Sequence, residues 1–216
     1  MIYYRKFDDD KERNYTQYVE KQGGKISYKA EAIISAIPQR VIGFRRLFRS
    51  HAKDLMPGRM LCLGVRTGCE VQGAREVGYL NSIGIDLHPI GPHVGDTVIQ
   101  GDMHKLKPLF PEDTFMNAYT NSLDHCYDLP AVIQGLKHVL KNNGVFFFQL
   151  MHKMALDWAL LEYEMTVDAY MASRAYDTMF WNKSEDILNE FKKEGFVLVK
   201  TWGDNKWYSC IIRCKK

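Results

Sequence analysis

The sequence predicts an α/β fold: a mostly parallel sheet with helices on both faces and one antiparallel strand at its end. Three observations predict it. Short apolar runs alternate with segments of helical spacing from residue 60 to residue 150, the pattern of parallel strands buried on both sides. The first run leads through a glycine turn, Gly64-Val65-Arg66-Thr67-Gly68, into a helix. The last two runs, Phe196–Trp202 and Lys206–Arg213, are separated only by Gly203-Asp204-Asn205, too short for a crossover and right for a hairpin.

The first thirty or so residues are polar, with Lys21–Lys25 (KQGGK) as a flexible break, and are expected to form a mobile arm. From Tyr28 to Leu55 apolar residues recur every three or four positions (Ile33, Ile34, Ile37, Val41, Phe44, Leu47, Phe48), and Pro38 divides this stretch into two helices. Strands are expected at Met60–Leu63, Ser82–Ile85, Thr97–Gln100, Phe115–Thr120 and Val145–Leu150. Helices fall at Glu70–Val77, closed by Gly78, and at Pro130–Leu140, after which Asn142-Asn143-Gly144 turns the chain. Met154–Tyr176 reads as one long helix, and Ser184 caps another that runs to about Lys193.

Composition sets limits on function. Of 216 residues, 46% are apolar and 25% charged, the balance of a globular protein, and the net charge of +3 is too small to argue for nucleic acid or an anionic membrane. The start, MIYYRKFDDDKERNY, is charged and unlike a signal peptide, and the strongest apolar run, Val145–Phe148, is far too short to span a bilayer. A cytoplasmic protein is expected. Five cysteines (Cys62, Cys69, Cys126, Cys210, Cys214) without a CxxC pair point to reduced, buried thiols, with Cys210 and Cys214 on one strand face. The basic run Arg40–Lys53 has one apolar face and arginines elsewhere, as an ordinary surface helix has, so nucleic acid is not the expected partner.

A parallel sheet binds its ligand beyond the carboxyl ends of the strands, where strand order reverses. Gly64 and Gly68 let backbone approach a ligand there. Asp86, at the end of the second strand and 22 residues beyond Gly64, suits ribose hydroxyls, and Asp102 could accept a hydrogen bond from a base's exocyclic amine. Together with QGDM (100–103), FMNAYTNSLDHCYD (115–128), LKHVLKNNGVFFF (136–148) and the closing hairpin, these features resemble the class I S-adenosylmethionine-dependent methyltransferases over about Arg59–Arg213. The resemblance implies a Rossmann-like, seven-stranded sheet. It also implies S-adenosylmethionine as cofactor and S-adenosylhomocysteine as product. The turn from Gly64 through Val65, Arg66 and Thr67 to Gly68 would hold the methionine end, Asp86 with Leu87 the ribose, and Asp102 with Met103 the adenine.

Two departures stand out: Cys62 where the family has an acidic residue, and Arg66 where it has a middle glycine. Either the site is lost, or Glu70 takes over the cofactor's ammonium while Arg66 contacts its carboxylate or seals the loop. The retained Gly64, Gly68, Asp86 and Asp102 favour the second.

Methyl transfer from a sulfonium mainly requires alignment of the acceptor, and a hydroxyl acceptor also needs a base. The segment after the fourth strand offers His125 and Asp124, with Asn121 as a polar positioner; His152, after the fifth strand, is the next candidate base. Asp124 and Asp128 alone do not make a metal site, and no metal is expected. Residues 1–55 and an insertion at 152–183, carrying Trp158, Tyr163, Tyr170, Tyr176, Phe180 and Trp181, are expected to cover the acceptor beside the domain at 56–216. Trp158 and Tyr170 fit a helix core stripe; the cluster from Tyr176 to Trp181 would suit a small polar ring such as a sugar. The expected activity is methylation of a small polar acceptor, at a hydroxyl oxygen, with a sugar or glycan as one such acceptor. A non-catalytic scaffold and a nucleic-acid methyltransferase are the alternatives.

Overall fold

The computed structural model describes residues 1–216 except Tyr28, Lys153, Met154, Glu164, Ala175 and Asn205, and except the side chains of residues 25–27 and 158–161. Its N-terminal part comprises a short strand, β1 (Ile2–Tyr4), and three helices, α1 (Lys11–Ser27), α2 (Ala30–Ser35) and α3 (Ile37–Ser50). Pro38 sits in the first turn of α3, where its missing N–H costs no helical bond, which is why the predicted division falls there. The polar arm expected from composition is instead helical and packed. Tyr18 of α1 is buried against the body, in ring contact with His104 and Tyr127.

The sheet is built from β2 (Met60–Leu63), β3 (Ile83–Asp86), β4 (Val98–Gln100), β5 (Phe115–Thr120), β6 (Leu140–Met151), β8 (Phe196–Gly203) and β9 (Trp207–Cys214), in the order β4-β3-β2-β5-β6-β9-β8. The contacts of β2 with β3 and β5, of β3 with β4 and of β5 with β6 are parallel; β9 lies antiparallel to both β6 and β8. The hairpin forms as predicted, yet it is inserted in reverse: the second strand, β9, pairs with β6, and the first, β8, is left at the edge. Alternation divides the core into two layers. Leu61 and Leu63 point to one face, with α5 (Leu129–Val139) and α8 (Ser184–Lys193). Met60 and Cys62 point to the other, with Phe48 of α3 and Val71 of α4 (Cys69–Arg75). All five cysteines are free and buried.

Three local differences from the expected elements have physical causes. The turn at Asn142–Gly144 is an irregularity within β6: Phe115 lies opposite Leu140 and Asn117 opposite Val145, and Asn143 absorbs the excess chain at φ 64°. The expected helix at 154–176 is two helices, α6 (Leu156–Tyr163) and α7 (Val167–Ser173), the second started by Thr166, whose side chain accepts from the Ala169 N–H; Met154 and the Trp158 side chain lie outside the described residues. Residues Met179–Trp181 form β7, which pairs with β1, so Phe180 and Trp181 are fully buried core and cannot face an acceptor.

Candidate active site

Strand order reverses at β2, with β3 and β4 to one side and β5 and β6 to the other. A cleft holding about 810 Å³, open solvent included, lies beyond these strand ends. The glycine turn forms its floor. Gly64 (φ 68°) and Gly68 (φ 77°) both adopt the left-handed conformation, and a side chain at Gly64 would meet the Ser122 Cβ at 2.8 Å. Arg66 also lies in this region, at φ 44°, which costs a non-glycine residue about 1–2 kcal/mol. Two bonds hold it: its N–H donates to Asp86 Oδ2 at 2.9 Å and its carbonyl accepts from Ile90 N–H at 2.9 Å.

The two strand-end carboxylates line the same cleft. Asp86 accepts from the N–H groups of Arg66 and His88, so one side chain closes the first turn and its own. Asp102 is braced from behind. It accepts from the Tyr15 hydroxyl at 2.9 Å and from both the N–H and Nδ1 of His104, at 2.9 and 2.5 Å. His104 Nε2 in turn accepts from Tyr127 N–H at 3.2 Å, which fixes the tautomer with hydrogen on Nδ1. Burial by itself would raise the Asp102 carboxyl, but the bonds from His104 and Tyr15 outweigh it and hold the group below its ordinary value.

His125 lies on the wall of the same cleft, on the short 3-10 turn Leu123–His125 after β5. Its Nδ1 donates to the Tyr176 carbonyl at 3.1 Å and lies 3.6 Å from Asp177 Oδ1, so in the neutral ring the lone pair is on Nε2. The Tyr176 carbonyl also accepts from Gln22 Nε2 at 2.8 Å, joining α1 to this wall. Asp124, His125 and Asp177 could offer a metal three ligand atoms, all within 4.8 Å of one another, but Arg174 Nε already lies 2.7 Å from Asp177 Oδ2. Glu70, in the first turn of α4, is 1% exposed and lies behind the cleft wall; Arg40 of α3 borders the cleft and reaches Glu70 Oε1 at 3.4 Å.

No protein-family model matches the sequence, and no curated protein does. Solved structures do. A SAM-dependent methyltransferase from Thermotoga maritima superimposes with a TM-score of 0.60 at 16% identity, covering 92% of this chain and 99% of its own. A second SAM-dependent methyltransferase, from Methanosarcina mazei, gives 0.58 at 14% identity, covering 76% and 96%. The 4+2 cyclase SpnF gives 0.59 at 13% identity, covering 79% and 81%. The chain has the class I methyltransferase fold.

Within the methyltransferase fold, the cleft brings together Gly64, Arg66, Asp86, Leu87, Asp102, Met103, Asn121 and His125 from the residues singled out in the sequence. Val65, Thr67 and Gly68 support the turn without lining the cleft, and Asp124 places its carboxylate 4.0 Å from His125 Nε2. His152 is elsewhere: its N–H donates to the Lys206 carbonyl and its ring lies against Gly203, on the hairpin side. Sequence reasoning missed Tyr18, Gln22, Arg40, His88 and Ser122, all on the cleft wall. One signal was available. Tyr15, Tyr18 and Gln22 are spaced three and four apart, one face of a helix, and that face closes the cleft.

Proposed function

We propose that this chain is a cytoplasmic S-adenosylmethionine-dependent methyltransferase that transfers a methyl group to a small polar acceptor at a hydroxyl oxygen, without a metal. One observation carries the reading: two buried strand-end carboxylates, Asp86 and Asp102, border a single cleft that His125 also lines. The residues fit the cofactor. Gly64 carries no side chain, for which the turn has no room, so backbone is left to meet the methionine end, while Asp86 with Leu87 suits the ribose and Asp102 with Met103 the adenine. The bound cofactor supplies an already activated methyl group. The chain's task is then to orient the acceptor and take its proton, and His125 would accept that proton at Nε2, with Asp177 and the Tyr176 carbonyl holding the ring. Gln22, Asn121 and Ser122 add polar groups to the same walls, which makes hydroxyl-rich acceptors such as sugars the first class to try. Arg40 and Arg45 pair with Glu70 and Glu76 instead of standing free, which weakens the nucleic-acid alternative.

A second reading keeps the cleft but not the transfer: a binding module of the same fold. The cyclase among its structural neighbours shows that this fold does not by itself decide the reaction. Thermal unfolding with S-adenosylhomocysteine tests the common part of both. Ligand at a hundredfold over its dissociation constant should add about 2.7 kcal/mol, a rise of roughly 5–11 °C for a chain of this size. Asp86→Ala should remove the rise. No rise for the unaltered protein at millimolar ligand ends the cofactor reading, and a rise without product from any acceptor favours the binding module.

A further inference from the structure

Glu70 is the least satisfied charged group near the cleft. Among the described residues its Oε2 is buried with no hydrogen-bond partner, and its Oε1 has only the long 3.4 Å contact from Arg40 Nη2. An acceptor oxygen buried in this way calls for a cationic donor. Arg40 is the adjustable side of the pair: 38% of its side chain is exposed, against 2% for Glu70, and its guanidinium also borders the cleft. Arg66, beside it on the cleft wall, has a buried Nε that also lacks a partner among the described residues. Behind one end of the cleft wall thus lies a carboxylate in need of a cation, and the wall itself carries two guanidiniums able to take an anion.

We infer that Arg40 and Glu70 form an exchangeable ion pair that selects ligands ending in an α-amino acid. On binding, the ligand's ammonium replaces Arg40 as the partner of Glu70, and Arg40, with Arg66, receives the ligand's carboxylate. This rests on the proposed function and adds the specificity of one end of that site. A ligand with a carboxylate alone would draw Arg40 away and leave Glu70 buried and unmatched, so the exchange rejects it. Burial pushes the Glu70 carboxyl up to about 7, against the opposing charges of Arg40 and Arg66, with Asp86 raising it further. Cys62, Cys69 and Tyr119, titratable groups that also face it, are themselves pushed up by burial and stay neutral. Binding an ammonium would therefore drive a proton from Glu70 near neutral pH.

The test compares S-adenosylhomocysteine with 5′-methylthioadenosine, which keeps the adenosine and lacks the amino-acid end, by titration calorimetry on the unaltered protein and on Glu70→Gln. The unaltered protein should bind S-adenosylhomocysteine at least about a hundredfold more tightly. Its binding enthalpy should depend on the ionisation enthalpy of the buffer at pH 7. Glu70→Gln should lose at least tenfold in affinity for S-adenosylhomocysteine, keep its affinity for methylthioadenosine, and lose the buffer dependence. Arg40→Met should weaken S-adenosylhomocysteine alone in the same way. Equal affinity for the two ligands in the unaltered protein, or an unchanged ratio in Glu70→Gln, overturns the exchange while the cofactor reading stands. Failure of both ligands to bind the unaltered protein overturns the two together.

Discussion

Glu70 also has a consequence for stability that needs no ligand. Its folded carboxyl is pushed up to about 7 from an ordinary value of 4.5, so the folded state holds this proton over a range where the unfolded chain has released it. Its contribution is therefore most favourable below the unfolded value and is lost as pH rises from 4.5 toward 7, by up to about 3 kcal/mol. Glu70→Gln should unfold at higher urea than the unaltered protein at pH 8 and show little difference at pH 4.5; equal midpoints at both pH values would contradict the assignment. At this scale Asp86 and Asp102 were legible in the sequence, because an acidic residue ending a strand beside a glycine turn is a local pattern. The place of Glu70 was not. Its residue type and first-turn position were visible, but its burial under Arg40 depends on α3, thirty residues earlier in the chain.

Among the elements, α3 and α4 make the contact that sets the wall of the cleft. They meet at Gly73, where an added Cβ would lie 2.6 Å from the Phe44 Cβ and 2.8 Å from the Arg45 backbone nitrogen. Backbone cannot yield as a flexible side chain does, so Gly73→Ala should cost about 1–3 kcal/mol, read as a lower urea midpoint at unchanged slope. The same contact brings Arg40 to Glu70 and Arg45 to Glu76, so the basic run that invited a nucleic-acid reading is partly used within the molecule. Helix α1 shows what composition conceals. Its mean polarity suggested a loose arm, yet side chains on one face fasten it: Tyr15 to Asp102, Tyr18 among the rings of His104 and Tyr127, and Gln22 to the Tyr176 carbonyl. In the insertion, Phe180 and Trp181 looked like acceptor-facing aromatics because β7 is only three residues long and its partner β1 lies at the opposite end of the sequence. A pairing across that distance leaves no periodicity to read.

For the whole molecule, the two apolar layers share one sheet: Phe146 and Phe148 enter one layer, and Phe147, between them, enters the other. Separate unfolding of either layer would strip a face of the same strands. Near- and far-ultraviolet circular dichroism should therefore report one coincident thermal transition, and two resolved transitions would show that the layers are independent. The mostly parallel sheet and the closing hairpin were legible because strand length, apolarity and loop length are local. The order of insertion was not, since nothing in the hairpin's own sequence says which of its strands meets β6.

That order has a bearing on how the chain is made. β9 is the last strand of the sheet to leave the ribosome, yet it occupies an interior position, and β8 can join only through it. While the chain from His152 to Cys214 is synthesised, roughly 3–13 s at ~5–20 residues per second, the full edge of β6 waits with its backbone groups unpaired, beside Phe146, Phe147 and Phe148. A nascent chain in that interval presents an apolar, strand-ready edge of the kind that recruits other chains. Shielding that edge until β9 arrives is thus a task the strand order sets for every copy of the chain that is made.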